Sequence, residues 1–222
     1  MELQIALDRL PLDRAVALAA LVAPHADWIE VGTSLIKRYG VAAIRAVVDA
    51  AGPVPVLADT KTADDASTEF EMCFEAGARA VTVLGLTSDA TVRAAVAITA
   101  GREAELVVDL LSVRPPRRAD LLASIGPAPH VLWAPHVGKD AQQEDQEARG
   151  TAVRVTGELG PWARGLRTAL GGGLRTADLA ALAPAWPHLR AIVGGAVTSA
   201  PDPLAAVIEL RAATERPPEG TP

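Results

Sequence analysis

The stretch Val54-Pro55-Val56-Leu57-Ala58-Asp59-Thr60-Lys61-Thr62-Ala63-Asp64 is a short apolar run followed at once by two carboxylates and a lysine in the spacing D-x-K-x-x-D. The run, Val54 to Ala58, reads as a buried strand, the charges stand where it ends, and a helix-period segment begins near Asp64. Residues i and i+2 of a strand point to the same side, so Asp59 and Lys61 can face one pocket while Asp64 aims elsewhere. Charge gathered in this way costs desolvation energy unless it is paired or binds something.

Outward from this stretch the same strand-then-helix unit recurs. Apolar runs at Leu3 to Leu7, Trp28 to Val31, Ala80 to Leu84, Leu106 to Leu110, His130 to Ala134, Gly165 to Leu170 and Leu189 to Val193 bring the strand count to eight. Between them lie helical segments, one over Asp13 to Val22 with Ala15, Leu18, Ala19 and Val22 on one face and Asp13 placed to cap its start. Others begin near Thr33, Ser88, Arg117, Asp140, Leu174 and Pro203. Strict alternation over 222 residues predicts an α/β protein, a single-domain (β/α)8 TIM barrel over residues 1–215, with an open doubly wound sheet as the alternative. Arg216 to Pro222 carries three prolines and no periodicity, and reads as a disordered tail. Gln142 to Arg149 reads as the solvated face of the sixth helix.

Half of the residues are hydrophobic but only 3% are aromatic, so the core must be built from Ala, Val, Leu and Ile, as in helices packed on parallel strands. A net charge of −6 without clustered Lys and Arg argues against nucleic acid or an anionic membrane as partner. The lone Cys73 excludes an internal disulfide framework and reads as a small buried residue. With no basic leader and no apolar run long enough to span a bilayer, the expectation is a soluble cytoplasmic protein.

Barrel enzymes work at the carboxyl ends of their strands. Here those ends carry Asp8, Glu30, Asp59 with Lys61, and Asp109. Each carboxylate alone is explained as a helix cap or loop charge, but four on one rim need neutralising, and oxygen ligands from two carboxylates plus substrate and water describe Mg²⁺. Glu30 and Asp59, on neighbouring strands, are the expected metal pair. After strands seven and eight come Gly171-Gly172-Gly173 and Gly194-Gly195, at the two loops that hold phosphate in many barrels, so a phosphorylated substrate is expected. His136, after strand six, is the histidine expected to face the pocket. His25, His130 and His188 fall on the opposite face, and Lys139 and Asp140 stand near a helix start.

These motifs resemble the orotidine monophosphate decarboxylase suprafamily of phosphate-binding barrels, marked by D-x-K-x-x-D after strand three, over almost the whole chain. Within it the chain is most similar to the 3-hexulose-6-phosphate synthase family, at Leu3 to Asp8, Ile29 to Thr33, Val81 to Gly85 with Ser88 to Thr91, Val108 to Leu110, and H-x-G-x-D-x-Q from His136 to Gln142. The related 3-keto-L-gulonate-6-phosphate decarboxylases prefer glutamate where this chain has Asp109 and arginine where it has Lys139. Orotidine monophosphate decarboxylase itself has a lysine in place of Glu30. Thr60 replaces a usual aliphatic residue, Asp65-Ala66 stands where Ala-Gly is more common, and Gly171 stands at an Ala or Thr position. The resemblance implies a carbon–carbon lyase: Mg²⁺ on Glu30 and Asp59, Lys61 stabilising an enediolate made from D-ribulose 5-phosphate, and His136 or a rim carboxylate as base. Addition of that enediolate to formaldehyde would give 3-hexulose 6-phosphate. Asp8, Asp109 and Lys139 would bind substrate, and Gly172, Gly173, Gly194 and Gly195 its phosphate. It further implies a homodimer in which Asp64 enters the partner subunit's site. Decarboxylation of keto-gulonate phosphate and a non-catalytic sugar-phosphate-binding barrel are the other readings.

Overall fold

The computed structural model describes residues 1–126, 128–135, 137–140 and 159–215. Eight strands run in chain order: β1 Glu2–Leu7, β2 Trp28–Val31, β3 Val56–Thr62, β4 Ala80–Leu84, β5 Glu105–Asp109, β6 Val131–Ala134, β7 Ala169–Gly171 and β8 Arg190–Val193. Among the described residues the α-helices are α1 Leu12–Val22, α2 Thr33–Tyr39, α3 Val41–Ala51, α4 Ala66–Glu75, α5 Asp89–Gly101, α6 Pro115–Ile125, α7 Thr176–Leu182, α8 Gly195–Thr198 and α9 Pro203–Thr214.

All strands are parallel, and each pairs with its sequence neighbour from β1 to β6 and from β7 to β8. β1 also pairs with β8, Gln4 opposite Ile192, which the open doubly wound alternative does not do. Trp133 of β6 bridges to Thr168, and its N–H donates to the Arg167 carbonyl at 3.0 Å, bringing the last two edges together. The result is a (β/α)8 barrel.

Several expected boundaries move, for local reasons. β3 begins at Val56 because Val54 is still turning out of α3, its N–H bonded to the Ala51 carbonyl at 3.3 Å, and the strand runs on through Asp59 and Lys61 to Thr62. β7 is shortened because the N–H of Leu166 is held in a turn by the Ala163 carbonyl. Asp13 does not cap α1: the helix starts one residue earlier, with Pro11 at the cap, and Asp13 sits in the first turn where its charge suits the helix dipole. α6 starts at Pro115, ahead of Arg117, since proline is well suited to a first helical turn. Asp65, at the unusual Asp-Ala pair, caps α4 by accepting from the Thr68 N–H at 3.1 Å, and Ser88 caps α5 through Thr91. The polar run at 142–149 and the tail at 216–222 lie outside the described residues.

The strand pleat divides the interior in two. Leu3, Ile5 and Leu7 point outward and are fully buried with Ala15, Leu18, Ala19 and Val22 of α1, while Trp28, Leu57, Ala80, Val107, Leu132 and Ala169 pack inside the barrel. Truncating an outward leucine to alanine in such a shell costs roughly 2–5 kcal/mol. Cys73 is buried in α4 as expected, and burial, with Glu69 adding to it, pushes its thiol up to about 12. The floor of the barrel is closed by Arg190, whose guanidinium lies 4.2 Å from the Trp28 ring centroid. Its Nε donates to Glu2 Oε2 at 2.7 Å, and its Nη1 is 2.8 Å from Glu105 Oε2.

Candidate active site

Alternation along parallel strands aims one set of side chains inward, and at the carboxyl end the packed interior gives way to a cavity of about 350 Å³. Asp8, Glu30, Asp59, Lys61, Asp109 and Lys139 line it, together with Gly172, Gly173, Gly194 and Gly195. The four carboxylates and both glycine loops therefore meet in one place. Asp64 does not line this cavity; its side chain is exposed on the loop between β3 and α4. His136 lies outside the described residues.

Lys61 organises the centre. Its Nζ is 2.9 Å from Asp59 Oδ2, 3.1 Å from Asp59 Oδ1 and 2.8 Å from Asp109 Oδ2. Burial alone would lower its pKa, but the charges of Asp59 and Asp109 and their hydrogen bonds outweigh that and hold the ammonium above the ordinary lysine value. Asp59 and Lys61 do share a side, though a regular pleat does not put them there. The pairing of β3 with β4 shifts register between Ala58 and Thr62, and Lys61 sits at φ +50°, a left-handed conformation that costs a non-glycine residue about 1–2 kcal/mol. The Lys61 N–H, lost from the ladder, donates instead to Thr82 Oγ1 at 2.8 Å. Thr60, the departure from an aliphatic residue, donates to the Thr82 carbonyl at 3.1 Å and meets Thr62 Oγ1 at 2.9 Å.

Asp59 is further held by Thr33 Oγ1, 2.6 Å from Oδ2, and Thr82 Oγ1, 2.9 Å from Oδ1. Asp109 Oδ1 accepts from the Leu111 N–H at 2.8 Å, and Asp8 Oδ1 from the Leu35 N–H at 3.1 Å. Asp8 also explains Gly32: a Cβ there would fall 2.4 Å from the Asp8 Cβ, so only glycine lets β2 pass the aspartate. Glu30 Oε2 accepts from Gln4 Nε2 at 2.5 Å. Glu30 and Asp59 are buried carboxylates on adjacent strands lining one cavity, the donor type that a hard divalent cation takes, and such ions keep water or substrate oxygens for the rest of their shell.

The glycine side of the cavity is bare backbone. Gly172 and Gly173 adopt φ +121° and +81°, and a Cβ on Gly172 would stand 3.0 Å from the Val137 nitrogen, so the loop after β7 closes on the loop after β6. The lining residues to which the sequence reading gave no role are Gln4, Arg9, Thr33, Ser34 and Thr82 among others. The inward alternation Gln4-Ala6-Asp8 was a signal for the first; the hydroxyls and Arg9 had none.

A closed parallel barrel with a half-buried lysine between carboxylates at its carboxyl rim defines a barrel enzyme. Residues 1–210 match the Orotidine 5'-phosphate decarboxylase / HUMPS family, and the chain belongs to it. A 3-hexulose-6-phosphate synthase of Staphylococcus aureus is 33% identical over 216 residues, 97% of this chain and 99% of that protein. The crystal structure of a 3-hexulose-6-phosphate synthase from Salmonella typhimurium superposes with a TM-score of 0.85 at 32% identity, covering 96% of this chain and 98% of that one. A 3-keto-L-gulonate-6-phosphate decarboxylase from Vibrio cholerae gives a TM-score of 0.79 at 26% identity over 96% and 97% of the two chains. The chain is thus a carbon–carbon lyase of this family. Among the described residues no helix is long and apolar enough to cross a membrane.

Proposed function

We propose that the protein catalyses the Mg²⁺-dependent aldol addition of formaldehyde to D-ribulose 5-phosphate, giving 3-hexulose 6-phosphate through an enediolate. The observation that carries this reading is Lys61 Nζ, fixed between Asp59 and Asp109 at the cavity, in a chain whose relatives are named for that synthase. Loss of a proton from C1 of the ketose phosphate puts negative charge on the enediolate oxygens, and the ammonium of Lys61 is in place beforehand to stabilise it. His136 or a rim carboxylate takes the proton. The enediolate C1 then forms a bond to the formaldehyde carbon, and the former carbonyl oxygen of formaldehyde takes up a proton as the new hydroxyl. Asp8 and Asp109 bind substrate hydroxyls, Lys139 adds a cation at the mouth, and the backbone N–H groups of Gly172, Gly173, Gly194 and Gly195 hold the phosphate. Glu30 and Asp59 would hold Mg²⁺, which when bound supplies Lewis-acid polarisation of the ketose oxygens. Asp64, exposed and outside its own chain's cavity, serves the site of a second subunit in a homodimer.

Purified protein supplied with D-ribulose 5-phosphate and Mg²⁺ should consume formaldehyde, and EDTA treatment or Lys61→Ala should stop it. Mixed Asp64→Ala and Lys61→Ala subunits should regain part of the activity; no recovery would remove the shared site. The likeness to the Vibrio cholerae decarboxylase and the cationic Lys139 support a second reading, which CO2 release from 3-keto-L-gulonate 6-phosphate without formaldehyde consumption would select.

A further inference from the structure

The left-handed backbone at Lys61 needs something outside its own strand to hold it, because at a bulge the ladder no longer does. The group that takes over is one buried hydroxyl on the neighbouring strand. Thr82 Oγ1 accepts from the Lys61 N–H at 2.8 Å and donates to Asp59 Oδ1 at 2.9 Å, so a single atom touches both the backbone that aims the ammonium and the carboxylate that receives it. The carbonyl of the same residue accepts from the Thr60 hydroxyl at 3.1 Å, a second tie between the bulge and β4. Thr82 is itself fixed, because β4 pairs in register with β5, Thr82 opposite Val107, and the residue is buried in the cavity wall.

We propose that Thr82 is a positioning residue for the reaction: its hydroxyl sets the left-handed turn at Lys61 and the orientation of Asp59 together, and so places the ammonium between Asp59 and Asp109. Both an acceptor and a donor are required of one side chain at this point. Valine has the same shape and is neither, while serine keeps both functions without the methyl group. The kinetic part of this inference rests on the aldol reaction proposed above; the geometric part does not.

The test therefore has two arms. The chain has three lysines, Lys37, Lys61 and Lys139, so protein labelled with ¹³C-lysine gives a spectrum simple enough to assign Lys61 by its loss in Lys61→Arg. In Thr82→Val, and in Thr82→Ala as a second variant without added bulk, the Lys61 Cα and Cβ shifts should move away from their left-handed values, while Thr82→Ser leaves them in place. In the kinetic arm, Thr82→Val should lower kcat for formaldehyde addition roughly 10- to 100-fold, as loss of a partner behind a catalytic group commonly does, with KM for the sugar phosphate changed less than about threefold. Thr82→Ser should recover most of that loss. Unmoved Lys61 shifts in both hydroxyl-free variants, or a serine variant as impaired as the valine one, would overturn the proposal. Moved shifts in a protein that never consumes formaldehyde would uphold the positioning role and discard the reaction.

Discussion

The two ends of this barrel solve one electrostatic problem in opposite ways. At the floor the guanidinium of Arg190 lies between Glu2 and Glu105, and at the rim the ammonium of Lys61 lies between Asp59 and Asp109. Arg190 has a side chain with 0% exposure, sits in regular register on β8 opposite Glu2 and Ala169, and is covered by the Trp28 ring. Lys61 keeps 26% of its side chain exposed to a cavity and occupies a left-handed backbone at a bulge. An arginine that is always charged, sealed by a flat ring and two carboxylates, plugs the barrel. A lysine held in strain beside open space has charge available for something that enters. Burial and pairing alone therefore do not mark a functional cation; access and backbone strain separate the two.

Exchanging each cation for an uncharged side chain of similar length should separate the two ends most sharply. Lys61→Met should lower kcat roughly 10²- to 10³-fold, the usual cost of removing preorganised charge stabilisation, with a small change in the urea midpoint because Asp59 and Asp109 can draw water from the cavity. Arg190→Met should do the reverse. It should cost about 3 kcal/mol of stability, at the low end for breaking a buried ion pair because Glu2 partly reaches solvent, and leave kcat per folded molecule within about twofold. Denaturation and steady-state kinetics on both variants decide it. A Lys61→Met protein that unfolds as readily as Arg190→Met, or an Arg190→Met protein that folds well but turns over slowly, would break the division between the two ends.

Much of the rim was legible in the sequence, and the reason is geometric. A parallel strand alternates its sides with period two, and barrels use one end for chemistry, so Asp8, Glu30, Asp59 and Asp109 could be assigned to one cavity from their place at the ends of apolar runs. The glycines after β7 and β8 were readable for the same reason. The floor was not, because Arg190 is a single charge inside the run Leu189 to Val193 and its partner Glu2 is 188 residues away. Nor was the bulge, since nothing in D-x-K announces a left-handed lysine, and the residue that holds it, Thr82, is one hydroxyl in a run of valines on another strand. Asp13 shows the converse error, a residue with capping chemistry one position inside a helix capped by Pro11.

A milder substitution, at Arg9, asks whether strain is a property of the rim as a whole. Arg9, which follows β1 and lines the cavity from an exposed position, also has a left-handed backbone, φ +55°. A non-glycine residue there costs about 1–2 kcal/mol, and glycine relieves that while giving back about 0.5–1 kcal/mol through its freer unfolded chain. Arg9→Gly should therefore raise stability by about 0.5 kcal/mol, read as a higher denaturation midpoint with an unchanged urea dependence. The same change removes a cation from the mouth of a site that would take a phosphate dianion, so KM for the sugar phosphate should rise a few-fold at low salt and less at high salt, where an exposed charge is screened. A more stable protein with weaker substrate binding would extend to Arg9 what Lys61 shows, that backbone energy at this end of the barrel is given up to aim charge into the cavity. A less stable one would mean that Arg9 is held by contacts worth more than its strain, and the contrast between floor and rim would then belong to Lys61 alone.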